Sequence, residues 1–267
     1  MTLRARRRLS GVRAPTNSMP YSNDNRQRWV SAGYCSDMGS AASDYPPEPE
    51  YIRLYYLTAT VHALSNIVFG RLKLARFQDL NDPFELLSVQ IMDKGVRKIA
   101  REFKEIESQQ TGLLCFSEDW TSPVMWSHYG ERHRGICLGF DVLRSKVHDV
   151  KYDDKRLKVA LEADSDPSSL SVALQEKLRR TKCHEWAYEK EQRMLVPLHE
   201  AHQVGTLHFR NFNSELRLAE VILGPNCSES LESVKTVVAR HWPSARTYRS
   251  RLAWQHFKVV PLESSVP

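Results

Sequence analysis

LLCFSEDWTSPVMWSHYGERHRGICLGF, residues 113–140, carries the reading of the fold. Leu113-Leu114-Cys115-Phe116 is a short apolar run of strand length, the pattern of a buried strand. Ser122-Pro123 then places a capping hydroxyl directly before a proline at the first helical position. The helix that follows carries Met125, Trp126 and Tyr129, and Gly135 to Phe140 is a second buried strand. Strand, helix and strand within 28 residues require the helix to lie on the sheet that the strands build.

Outward from this unit the same reading continues. Tyr51 to Leu57 is β-branched and aromatic, so a strand is expected, with Thr58 capping the next helix. That helix presents Val61, Leu64, Ile67 and Val68 at helical spacing, and Gly70 stops it. Leu72 and Leu74 alternate with Arg71 and Lys73 as a short strand, and residues 95–110 read as an amphipathic helix. Residues 163–183 turn from acidic and serine-rich to helical and basic. Glu191 to Pro197, Leu218 to Pro225 and Phe257 to Val260 read as further strands, with Asn226 capping a helix after the second of these. There is no regular βαβ rhythm, so an α+β fold with a mixed, mostly antiparallel sheet and flanking helices is expected. Residues 1–50 read as a basic, polar tail, 51–262 as one domain and 263–267 as a short C-terminal tail.

The chain has 267 residues, of which 41% are hydrophobic and 26% charged, enough for a substantial core. No apolar run reaches membrane-spanning length, and five scattered cysteines without a C-x-x-C pair argue against a disulfide or zinc scaffold. A cytoplasmic protein without membrane contact is expected. The net charge of +6 sits in the tail, where residues 1–30 hold seven arginines and one acid. The remaining residues hold equal numbers of basic and acidic side chains, which leaves the body no net attraction for a phosphate backbone. Phosphate-binding loops, dinucleotide fingerprints, nucleophile elbows and zinc-protease motifs are absent from the sequence. His128 and His133 are five apart and share no helix face, so no metal site is expected.

Three segments are dense in chemistry. Asn81-Asp82-Pro83-Phe84-Glu85 is turn chemistry first, and it also suits a loop beside a pocket. In the second, Ser117 at a strand end offers a hydroxyl, and Tyr129 offers a ring to a planar ligand with its own hydroxyl free. Trp126 reads first as helix-to-sheet packing. The third is Trp186 to Arg193, where Glu189 and Glu191 stand two apart at the mouth of a strand, on one face. Carboxylates so placed repel unless cations partner them, and Arg193 lies on the same face. A carboxylate beside a ribose can stabilise an oxocarbenium-like transition state.

The segments FQDLNDPFE, LLCFSED…SPVMWSHYGERHRGICLGFD, WAYEKEQR and EVILGP resemble, in order, the bacterial family known as domain of unknown function 2971, from about Tyr51 to Val260. More distantly, the order of elements resembles the ADP-ribosyltransferase fold, which implies a split sheet. It implies an enzyme that cleaves the nicotinamide–ribose bond of NAD and transfers ADP-ribose to a protein or nucleic-acid acceptor, as a toxin or defence factor with an antitoxin or immunity partner. By that resemblance Glu191 stabilises the ribosyl cation, Glu189 engages the acceptor and Tyr129 packs the nicotinamide. Tyr56, Thr58, Arg53, Ser117, Trp126 and Asn81 face the nucleotide. Tyr56 stands where the fold usually offers His or Arg. The alternative is a non-catalytic module that binds a nucleotide or partner in the same cleft. On the catalytic reading, Glu191→Gln abolishes activity with little change in melting temperature.

Overall fold

A computed structural model describes residues 48, 50–90, 92–158, 166 and 170–263. Most of the tail read over 1–50, the acidic stretch of 159–169 except Asp166, and residues 264–267 lie outside the described residues.

The fold is α+β. An eight-stranded sheet runs in the order β13-β12-β11-β4-β1-β3-β8-β5. Its central strands are β1 (Tyr51–Thr58), β3 (Thr111–Ser117), β4 (Ile136–Leu143), β8 (Glu191–Pro197) and β11 (Leu216–Leu223). β5 (His148–Asp149), β12 (Arg246–Leu252) and β13 (Val259–Pro261) complete it. Every pairing within this sheet is antiparallel except β11 with β12. That pair is bridged by the crossover helix α5 (Leu231–His241), because parallel neighbours need a long connection. A three-stranded sheet of β2 (Arg71–Lys73), β9 (His202–Val204) and β10 (Leu207–Asn211), and a parallel pair of β6 (Lys151–Asp153) with β7 (Thr181–Cys183), which follows α4 (Val172–Arg180), lie outside it.

Period-2 alternation distributes β1 between two cores. Leu54 and Tyr56 join Leu138, Phe140 and Met194 beneath α1 (Thr60–Phe69) and α5. Tyr55 and Leu57 join Trp120, Trp126, Ile222 and Tyr248 on the other side. In β11 the parity changes: Leu216 and Leu218 face the first core, and so do Val221 and Leu223. A bulge between Leu218 and Glu220 supplies the extra residue that makes this shift. A third core forms where α2 (Lys94–Gln110) lays Ile99, Ala100 and Phe103 against Phe77, Leu86 and Leu113.

Several local expectations change in the fold. Thr58 ends β1 and does not cap α1, whose N-cap is Ala59. The phase set there buries Ala63, Asn66 and Ile67, while Val61 and Val68 are exposed. Gly70 does stop the helix, in the left-handed region at φ 61°. Asn226 does not cap α5. Its backbone N–H bonds the His133 carbonyl in a turn, and Ser230 takes the cap by accepting from the Ser233 N–H. Phe257 stands in the loop before β13, almost fully exposed. β12, RTYRSRL, was not anticipated, because its three arginines mask the buried Thr247, Tyr248 and Ser250 between them.

Candidate active site

β1 and β3 pair at a single position, Tyr55 with Ser117. Beyond it Tyr56, Leu57 and Thr58 stand opposite Phe116 and Cys115 without ladder bonds, and a cleft of about 460 Å³ opens between the two strands. The sheet holds this junction firmly on both sides. β1 is paired along its whole length with β4, and β3 along its whole length with β8. The register of β3 with β8 sets Glu191 beside Ser117, so the first residue of β8 arrives at the mouth of the gap. Asp79, Leu80 and Asn81 close one side, and His128 and Tyr129 at the end of α3 (Pro123–His128) another.

Of the nine residues picked out in the sequence, seven line this cleft: Tyr56, Thr58, Asn81, Ser117, Tyr129, Glu189 and Glu191. Two do not. Arg53 pairs with Asp141 at 2.6 Å and with Glu220 at 3.1 Å, an assembly belonging to β1, β4 and β11. Trp126 is wholly buried and donates its indole N–H to the Trp120 carbonyl at 2.7 Å. Both are structural, because their polar atoms are consumed inside the fold.

Glu189 and Glu191 converge as expected, by a different local geometry. Glu189 does not lie on the strand. It ends a two-turn 3-10 segment, His184–Glu189, and Lys190 reverses the chain in the left-handed region at φ 46° before β8 begins. Ser117 holds that reversal. Its hydroxyl contacts the Glu189 and Asp119 carbonyls at 2.7 and 2.9 Å and accepts from the Asp119 N–H. It therefore clamps the turn that carries Glu189, where a hydroxyl open to a ligand was expected.

The cationic partner that two adjacent carboxylates require comes from two sources. Arg193 was anticipated. Its Nε donates to Glu191 at 2.7 Å, and its other two nitrogens grip Glu85 at 3.0 and 2.5 Å. Lys182 was not anticipated. From β7 its ammonium bonds Glu189 directly, meets Glu191 at 3.0 Å and stands 3.9 Å from Glu85. All five groups are buried, so three carboxylates face two cations in a low-dielectric setting. Burial alone works to neutralise Glu191, but Arg193 and Lys182 outweigh it and hold its carboxyl at about 2. Burial also opposes charge on Lys182, and Glu191 and Glu189 overcome it, raising the ammonium above its ordinary value.

Glu85 belongs to this network through the Asn81–Glu85 loop. The Asp82 carboxylate accepts from the Phe84 N–H at 2.9 Å, an Asx turn that swings Glu85 inward. Both readings of that segment therefore hold: turn chemistry, and a loop beside a pocket. The Tyr129 hydroxyl, expected to be free, donates to Glu189 at 2.5 Å, and Asn81 donates to the Tyr129 oxygen at 3.4 Å. Burial first, then the hydrogen bond to Glu189 and that carboxylate's charge, push the phenol well above its ordinary value, so it remains a donor. The rings of Trp186, Tyr188, His128 and Tyr129 follow one another at 6.0–6.1 Å, an aromatic wall running out from the carboxylates. Lys182 also lies under the Trp186 ring, at 5.0 Å. Trp186 and Tyr188 sit in the motif that supplied the glutamates, which was the available signal for them.

The space between Glu85, Glu189 and Glu191 is filled by Lys182 and Arg193. Among the described residues no group of three or more His, Cys, Asp or Glu is arranged to hold a metal ion, and no helix is long and apolar enough to cross a membrane. No curated protein and no solved structure matches this chain. Residues 125–194, from Met125 in α3 to Met194 in β8, match the family described as "Protein of unknown function (DUF2971)". That span is shorter than the resemblance read over Tyr51 to Val260, and it holds Tyr129, Lys182, Glu189, Glu191 and Arg193. Over this part of the chain, which carries most of the ionic network of the cleft, the protein is similar to the domain of unknown function 2971 family.

Proposed function

We propose that this chain cleaves the nicotinamide–ribose bond of NAD and transfers ADP-ribose to a protein or nucleic-acid acceptor. The observation that carries the proposal is the convergence of Glu189, Glu191 and Tyr129 with Tyr56 and Thr58 around one cleft at the split between β1 and β3. The glycosidic C–N bond breaks with its electron pair going to the nicotinamide nitrogen, leaving an oxocarbenium ion at the ribose. A fixed carboxylate stabilises that cation most where water is excluded. Glu191 is buried and stays ionised throughout the neutral range. Tyr129 offers its ring to the nicotinamide, oriented by the bond from its hydroxyl to Glu189. The acceptor's nucleophile forms the new bond to the ribose carbon, and Glu189 takes its proton.

One observation favours the alternative, a non-catalytic binding module. Both Glu191 oxygens already accept from Arg193 or Lys182, as in a purely structural ion network. Nicotinamide release from NAD by the full chain, with and without cell lysate, separates the two. Release that Glu191→Gln lowers by roughly a hundredfold or more supports the transferase. NAD binding by calorimetry without release, from folded protein, supports the module. The ion network also revises the expectation that Glu191→Gln leaves the melting temperature nearly unchanged, since the substitution removes a charge that two buried cations share. Glu189→Gln, which leaves the Arg193–Glu191 pair intact, is the companion variant.

A further inference from the structure

The β12–β13 connection bears two nearly naked aromatic rings in a segment with no acidic residue. Trp254 is 82% exposed and Phe257 98%, unusual for large rings that burial would stabilise. Residues 233–262 contain six Lys and Arg, namely Lys235, Arg240, Arg246, Arg249, Arg251 and Lys258, and no Asp or Glu. Lys235 lies 3.5 Å from Glu232 and Arg246 4.0 Å from Glu220, so Arg251 and Lys258 are the cations that flank the two rings. The connection is built and anchored. Ala253 N–H bonds the Lys258 carbonyl at 2.9 Å, closing the loop. At its base Arg249 grips the Cys227 and Glu229 carbonyls at 2.7 and 2.5 Å, and Ser250 bonds the Leu223 carbonyl at 2.7 Å. The Arg251 guanidinium lies over the Trp254 ring, 5.5 Å from its centre, so a cation and a π face are presented together.

We propose that this connection is a docking site for single-stranded nucleic acid. Unpaired bases stack on exposed rings, and phosphates pair with the cations beside them, with little dependence on sequence. A loop already fixed to the sheet loses little freedom when it binds. Charge complementarity selects this occupant over an acid-neutral protein surface. Gln255 and His256 separate the two rings, which interrupts the continuous apolar face that insertion into a lipid surface uses. The inference does not depend on the chemistry proposed for the cleft.

The test is fluorescence anisotropy of the full chain with a labelled, mixed-sequence single-stranded oligodeoxynucleotide. Trp254→Ala/Phe257→Ala weakens binding by roughly tenfold or more, because each stacked ring contributes to affinity. Its melting temperature stays that of the parent, since neither ring is buried. Lys258→Gln lowers the slope of log affinity against log salt by about 0.7, the single-strand value for one phosphate contact. The arginine tail is identical in all three proteins, so the comparison isolates the loop. Three results would overturn the proposal. They are parent-like affinity in the double variant, no binding by the parent, and loss by the double variant of binding to phosphatidylserine vesicles with oligonucleotide affinity unchanged.

Discussion

Replacing Lys182 with methionine keeps the stem and removes the charge that Glu189 and Glu191 share. In the native protein the ammonium touches Glu189, stands 3.0 Å from Glu191 and 3.9 Å from Glu85, and is 8% exposed. Unit charges 3 Å apart interact by about 5 kcal/mol at an effective dielectric near 20. Burial of the lysine offsets part of that in the native state. In the variant three buried carboxylates face one guanidinium, and breaking a buried pair in this way costs roughly 3–5 kcal/mol. One carboxyl relieves the repulsion by taking up a proton, so its folded-state pKa rises above the unfolded value. Glu191 in the parent and the raised carboxyl in the variant then respond to pH with opposite sign. In the parent, Glu191 is held at about 2 against an ordinary 4.5. Its contribution is complete above the ordinary value and is lost as pH falls toward about 2. In Lys182→Met the raised carboxyl stabilises the folded state at low pH, and stability falls as pH rises through its folded value. Urea unfolding at about pH 7 and about pH 5 measures both, and the expectation is a large deficit at the higher pH that narrows at the lower. A loss below about 1 kcal/mol at the higher pH, with the parent's slope, would refute the idea that Lys182 neutralises the pair.

Other outcomes follow from the same geometry. Tyr129→Phe removes the donor to Glu189 but keeps the ring, so nicotinamide release falls through kcat more than KM, measured by steady-state kinetics. Trp126→Phe removes the indole donor to the buried Trp120 carbonyl and lowers stability by about 1–3 kcal/mol in denaturant unfolding, while any NAD affinity of the parent, measured by calorimetry, is unchanged. Gly135→Ala sets a new Cβ 2.2 Å from the Thr58 carbonyl and 2.9 Å from Gly130 backbone atoms. None of these atoms can step aside, so denaturant unfolding shows a loss of about 3 kcal/mol or more.

Much of the architecture is local and therefore legible in the chain. The apolar runs at 113–116 and 136–140 became β3 and β4, and Ser122-Pro123 began α3. Hydrophobic period and capping chemistry act over a few residues, so the sequence displays them directly. Ser117 and Tyr129 were legible for the same reason, since they lie at the ends of β3 and α3. Where the local pattern was masked the reading failed. The arginines of β12 hid its buried Thr247 and Tyr248, and the apolar spacing of Val61 and Val68 lost to the phase set at Ala59.

What tertiary structure alone decided is the electrostatics of the cleft. Glu85 lies 108 residues from Arg193 in the chain, and the two meet only because β8 pairs with β3 while the Asx turn at Asp82 points Glu85 inward. Lys182 sits in a three-residue strand whose sequence, Thr-Lys-Cys, announces nothing, and pairing with β6 sets it among the carboxylates. The sequence by itself determined that Glu189 and Glu191 stand two apart and need cations. Which cations answer depends on contacts between distant segments, and only the folded chain brings a buried lysine between the two glutamates.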